Sequence, residues 1–170
     1  MEMMIIMILI LIDQWTKGLA ERLIGGGKAA TVIPGFFELR YLANKGAAWS
    51  IFSSQNWGLA FLVILSSIVL FALLWFLRKA GGMRAKMVLI LLISGSAGNL
   101  IGRLRLGAVT DFLSFTFGSY AFPTFNLADA MITIGTGLLI IFVLLDRHFL
   151  SIQFGTGRAA HPGEKREKSE

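Results

Sequence analysis

The 170-residue chain has no cysteine, three prolines and only two histidines, and each shortage closes off some chemistry. Without cysteine there is no disulfide, no thiolate metal centre and no cysteine nucleophile. His148 and His161 both lie near the C-terminal end, which argues against a Ser-His triad or a histidine metal site. Charge is scarce as well: 15% of residues are charged against 55% hydrophobic, and the mean hydropathy is +0.71. A soluble domain of this size needs more polar surface, so the chain reads as an integral membrane protein, long enough for one small helical bundle. Acids are rarer than bases, 10 against 16, leaving a net charge of +6. The bases fall in short clusters between apolar runs and in the tail. That pattern suits anionic lipid headgroups; nucleic acid would require a continuous basic face.

Four apolar segments are long enough to cross a bilayer, at about 3–24, 57–77, 86–104 and 126–145. The first opens with ten apolar residues, which give only ~15 Å of helix, so the polar run Asp13-Gln14-Trp15-Thr16-Lys17 must continue the span. It has neither the basic start nor the small-residue cleavage site of a secretory signal, and is expected to be retained. In the second, Trp57 and Trp75 stand ~27 Å apart along a helix, as interfacial anchors do. The third carries Ser94-Gly95-Ser96-Ala97-Gly98, small residues that let helices approach closely. The fourth begins Asn126-Leu127-Ala128-Asp129 and runs out at Asp146-Arg147-His148.

An even number of spans puts both termini on one side. The short acid-free loop with Arg78, Lys79, Arg84 and Lys86 assigns that side to the cytoplasm, although Arg22, Lys28, Arg40, Lys45 and Arg105 nearly balance it opposite. The outer segments are then 25–56 and 105–125. In the first, Phe37, Leu39 and Tyr41 alternate with Glu38 and Arg40 after a Pro34-Gly35 turn, an amphipathic strand pattern. The second holds Phe112, Phe115, Phe117, Phe122 and Phe125, and is expected to lie in the headgroup layer as an interfacial loop. Residues 1–150 form one membrane domain on this reading, and 151–170 a charged, disordered cytoplasmic tail.

Asp111 and Asp129 stand out among the polar residues. A charge at membrane depth costs at least ~2.5–3.5 kcal/mol, so acids there usually have a task. Each also has a plainer reading. Asp129, three residues after Asn126, fits a capping box at the start of a helix, and Asp111 fits an ordinary loop aspartate. Together, at one mouth between adjacent spans, they point to a carboxylate pair that activates water, one member ionised and the other holding a proton. The helix N-terminus favours charge on Asp129. Asn99 and Arg103 share a helix face with Ser96; the guanidinium either orients a carboxylate or extends to headgroups. Asp13 and Lys17 are spaced to pair with each other inside the bundle as scaffold. Asn44 either caps a turn or binds substrate backbone. A proton-relaying transporter subunit remains as an alternative, but its acids would sit near mid-bilayer rather than at helix ends. A structural partner whose acids only cap helices is a third reading.

Taken together, Asp13-Gln-Trp-Thr-Lys17, Asn44-Lys-Gly-Ala-Ala-Trp-Ser50, Gly98-Asn-Leu-Ile-Gly-Arg103, Val109-Thr-Asp111-Phe112 and Phe125-Asn-Leu-Ala-Asp129 resemble the lipoprotein signal peptidase (signal peptidase II) family of bacterial membrane aspartyl peptidases. The resemblance spans roughly 5–147. It implies a bundle of four transmembrane helices with a small outer β-cradle, with Asp111 and Asp129 as the catalytic dyad. Asn44, Asn99, Arg103, Asn126, Asp13 and Lys17 take supporting roles. The implied reaction removes the signal peptide of a diacylglyceryl-modified prolipoprotein just before the lipid-bearing cysteine, at the outer face of the bacterial cytoplasmic membrane. It implies no metal or organic cofactor and inhibition by the cyclic peptide globomycin. With membrane lipids as its only other partners, the protein is expected to act as a monomer. One position departs from the pattern: the family usually has Asp before Arg103, and this chain has Gly102, which removes an ion-pair partner for the arginine.

Overall fold

A computed structural model of the chain describes residues 1–27, 29–46, 57–146 and 149. Lys28, Trp49, both histidines, the 47–50 half of the Asn44 motif and the tail 151–170 lie outside the described residues. Among the described residues, four helices are long and apolar enough to cross a membrane: α1 (Glu2–Ile24), α2 (Gly58–Lys79), α3 (Met83–Leu106) and α4 (Leu127–Leu145). Four strands lie outside them: β1 (Ala29–Ile33), β2 (Phe37–Asn44), β3 (Val109–Phe117) and β4 (Tyr120–Ala121).

Small residues decide which helix is central. The most apolar window of α3 is 56% buried, against 6% for α2 and 17% for α4. A side chain on Gly95 would collide with the carbonyl oxygen of Ala128, and one on Gly98 with the Asp13 carboxylate. Those two positions bring the start of α4 and the polar turn of α1 against α3, the close approach expected of small residues in membrane helices. Apolar side chains of α1, α2 and α4 that α3 does not cover face outward, among them Leu11, Ile64, Phe71 and Leu144. In lipid such surface needs no further burial, because hydrocarbon tails are as apolar as leucine.

The strands form one antiparallel sheet in the order β1-β2-β3-β4. The expected strand in 36–42 is β2. Residues 105–125, expected as an aromatic interfacial loop, contribute β3 and β4 to the same cradle. The alternation Leu113-Ser114-Phe115-Thr116-Phe117 carries the strand signal there. Phe37 stacks on Phe115 with ring centroids 4.6 Å apart, and Phe115 on Phe125 at 5.8 Å, so the aromatics join β2 to β3 and β3 to the segment before α4. Gly107, in the left-handed conformation at φ 66°, ends α3 and turns the chain into β3 within two residues. Register then sets Leu42 opposite Asp111 and Asn44 opposite Val109.

Candidate active site

Asp129 takes its place from the start of α4. Asn126 is the extended N-cap residue; its Oδ1 accepts from the Asp129 backbone N–H at 3.0 Å, and Asp129 Oδ2 accepts from the Asn126 backbone N–H at 3.2 Å. The plainer capping-box reading is therefore correct as geometry. It does not exhaust the residue, because Asp129 Oδ1 also accepts from Asn99 Nδ2 at 2.7 Å.

Asp111 comes from β3 and is only 2% exposed. Asn126 Nδ2 donates to its Oδ1 at 2.6 Å and Asn44 Nδ2 to its Oδ2 at 3.0 Å. Asp111 is thus a strand residue and not the loop aspartate of the plainer reading. Burial, and then the charge of Asp129, push its carboxyl up from the ordinary 3.8 to about 6; the Asn44 and Asn126 amides and the Lys17 charge pull the other way.

Three asparagines divide their labour alike. Asn44 spends Oδ1 on the Gly46 backbone N–H at 2.9 Å, and Asn126 spends Oδ1 on the end of α4. Asn99 Oδ1 receives Lys17 Nζ at 3.0 Å and Asn126 Nδ2 at 3.3 Å. In each case the oxygen is committed to the scaffold, so the NH2 group faces a carboxylate. Lys17 in turn donates to Asp13 Oδ2 at 2.9 Å, a buried ion pair, and Asp13 Oδ1 accepts from the Ala128 backbone N–H at 3.0 Å. The predicted Asp13–Lys17 pair is present, and it abuts the site through Asn99.

Asn44, Asn99, Arg103, Asp111 and Asp129 line one cleft of about 540 Å³, together with Phe122, Thr133 and Ile134. Arg103 forms no direct ion pair with either aspartate among the described residues. Its Nη2 reaches the Gly46 carbonyl at 3.3 Å, so it braces the turn after Asn44 while its charge faces the cleft. Gln14 was not singled out from sequence. Its Nε2 donates to Asp13 Oδ2 and to the Gly98 carbonyl, both at 3.0 Å. The available signal was a polar side chain inside an apolar span. Among the described residues there is no cluster of three or more metal-ligating side chains.

Two acids and three amides meet in one region where four apolar, span-length helices adjoin a small sheet, an arrangement of the paired-carboxylate class. The comparisons narrow the class. The family description signal peptidase (SPase) II matches residues 5–145. A lipoprotein signal peptidase of Syntrophotalea carbinolica is 36% identical, covering 82% of this chain and 88% of that one. Another, from Clostridium tetani, is 37% identical over 85% and 92%. Two bacterial membrane enzyme structures obtained by the in meso method superpose with TM-scores of 0.76 and 0.75, at 34% and 35% identity over 86% and 85% of this chain. The chain belongs to the signal peptidase II family, multi-pass bacterial membrane proteases that cleave signal peptides from prolipoproteins.

Proposed function

We propose that this chain cuts diacylglyceryl-modified prolipoproteins immediately before the lipidated cysteine, with Asp111 and Asp129 as the catalytic pair. One observation carries the reading: β3 and α4 deliver two carboxylates to a single cleft, each met by asparagine amide donors whose own oxygens are bound elsewhere. Asp111, buried and raised toward neutrality, holds the proton of the pair. Asp129, at a helix N-terminus that favours negative charge, accepts a proton from water. The hydroxide so formed attacks the scissile carbonyl carbon, and Asp111 gives its proton to the carbonyl oxygen. As the C–N bond breaks, the proton on Asp129 passes to the leaving amine and Asp111 recovers its own.

The substrate fits this placement. A lipidated signal peptide is itself an apolar helix with an acyl anchor, so its scissile bond lies at the membrane interface, level with the sheet. The acid-free 78–86 loop supports cytoplasmic termini and a cleft at the outer face. Residues 1–150 form the catalytic unit, acting as a monomer among membrane lipids, with no cofactor or metal. Asn44, Asn99, Asn126 and Arg103 hold the pair and its cleft, while Asp13 and Lys17 fix Asn99. Purified protein should cleave a diacylglyceryl-modified prolipoprotein, and Asp111→Asn and Asp129→Asn should each lose cleavage while staying folded. Near-normal cleavage by either variant would remove it from the dyad.

A further inference from the structure

Asp111 has a neighbour whose side chain the reaction does not use. Successive strand residues point to opposite faces, so while Asp111 faces the cleft, Thr110 faces α1. Its hydroxyl donates to Glu21 Oε1 at 2.7 Å, and Thr110 is 2% exposed. Both line a second cavity of about 370 Å³, with Tyr41, Lys45 and Ala108, on the side of β3 away from the dyad. A buried hydroxyl must find a partner, and a carboxylate is among the stronger acceptors.

The place where this bond attaches matters. Residues 109–111 pair with Asn44, Ala43 and Leu42 in turn, so the segment bearing Asp111 also sets where the Asn44 amide meets it. Only Gly107 and Ala108 separate that segment from α3. Position 102, on the last turns of α3, gives it no polar anchor. Gly102 is buried against the start of β3, where an added Cβ would stand 3.2 Å from the Ala108 carbonyl oxygen and 3.6 Å from Val109 Cα. The helix packs on the strand's backbone there without a side chain to grip it. Glu21, from α1, supplies the grip.

We propose that Glu21 is a positioning residue for cleavage: through Thr110 it fixes the first turn-out of β3, and with it the direction in which Asp111 meets Asn44, Asn126 and the substrate. The inference rests on Asp111 being catalytic. A small misplacement of a reacting group is costly to rate, whereas a purely structural contact is costly only to stability.

The test uses the full chain and a diacylglyceryl-modified prolipoprotein, measuring kcat, KM and unfolding temperature for Thr110→Val, Glu21→Leu, their double variant and Glu21→Gln. Each of the first two should lower kcat about tenfold with KM little changed. The double variant should be no worse than the poorer single one, because both remove the same contact. Glu21→Gln, whose Oε1 still accepts from the hydroxyl, should recover most of kcat. The proposal is overturned by a Thr110→Val enzyme with wild-type kcat, by losses that multiply to about a hundredfold in the double variant, or by Gln performing no better than Leu. Asp111→Asn in the same assay separates two failures. If it is inactive while Thr110→Val is unimpaired, the positioning role falls alone; if it still cleaves, the catalytic assignment falls and this inference with it.

Discussion

Asp129 and Asp111 line one cleft, but a helix holds the first and a sheet holds the second. Asp129 sits in a capping box, where one oxygen accepts a backbone N–H fixed by the helix itself, and its other oxygen is reached by Asn99, which a buried ion pair orients. Asp111 has no comparable backbone support; side-chain amides from β2 and from the end of α4 hold both its oxygens. The half-buried acid is therefore tied to the most regular part of the bundle, and the fully buried one to two elements distant in sequence, β2 and the N-cap of α4. This asymmetry teaches how two identical side chains come to stand in different surroundings. The helix end favours charge, while burial in the sheet favours the proton.

The contrast can be broken most severely at its centre. Asn at either aspartate keeps the size but cannot cycle a proton, and cleavage should fall at least about 10³-fold, read from product formation by folded enzyme. The next effect concerns the helical half. Lys17→Met leaves Asp13 buried without its cation and should cost about 3–5 kcal/mol, seen as a lowered unfolding temperature; Asp13→Asn together with Lys17→Met should recover a good part. An equal loss in the double variant would show that the pair matters by shape alone.

The sheet half has a pH signature of the opposite kind. Because the folded Asp111 carboxyl is raised from 3.8 to about 6, the native state binds its proton more tightly than the unfolded chain. Stability is thus lost as pH rises through that window, by about 2–3 kcal/mol in all. Asp111→Asn lacks this linkage, so its unfolding temperature relative to wild type should climb between pH 4 and pH 7. A flat difference would mean that Asp111 does not hold the proton. The smallest effect sharpens the same point. Asn44→Ala removes one of the amides that lower the Asp111 carboxyl, so the midpoint of that pH dependence should move upward, by about one unit. A shift downward would assign the amide a different role.

The helical half was also the more legible from sequence. Hydropathy alone located all four spans, because crossing a bilayer demands about 20 apolar residues whatever they pack against. The Asn126–Asp129 spacing announced a cap, and the Asp13–Lys17 spacing a pair, since both are local along one helix. The sheet half depends on contacts distant in sequence. Glu21 and Thr110 are 89 positions apart, and Asn44 and Asp111 are 67 apart, so no spacing rule joins them. Strand β3 hid behind its phenylalanines, read as interfacial by composition although they alternate. Arg103 shared the face expected of it, yet its hydrogen bond goes to the Gly46 carbonyl, a backbone partner that no side-chain pattern announces.

The two-residue link at Gly107 and Ala108 gives the gene encoding this site a rule of parity. A strand shows each side of the sheet to every second residue, so one codon added or deleted in that link would pass Asp111's place to a neighbour. Thr110 or Phe112 would then face the cleft, and the acid would turn toward Glu21. A two-residue slip would keep the acid on the cleft side but carry it ~7 Å along the strand, out of reach of Asn126. Insertions that survive selection between the third helix and this strand should therefore be ones that loop out and leave the strand's register untouched.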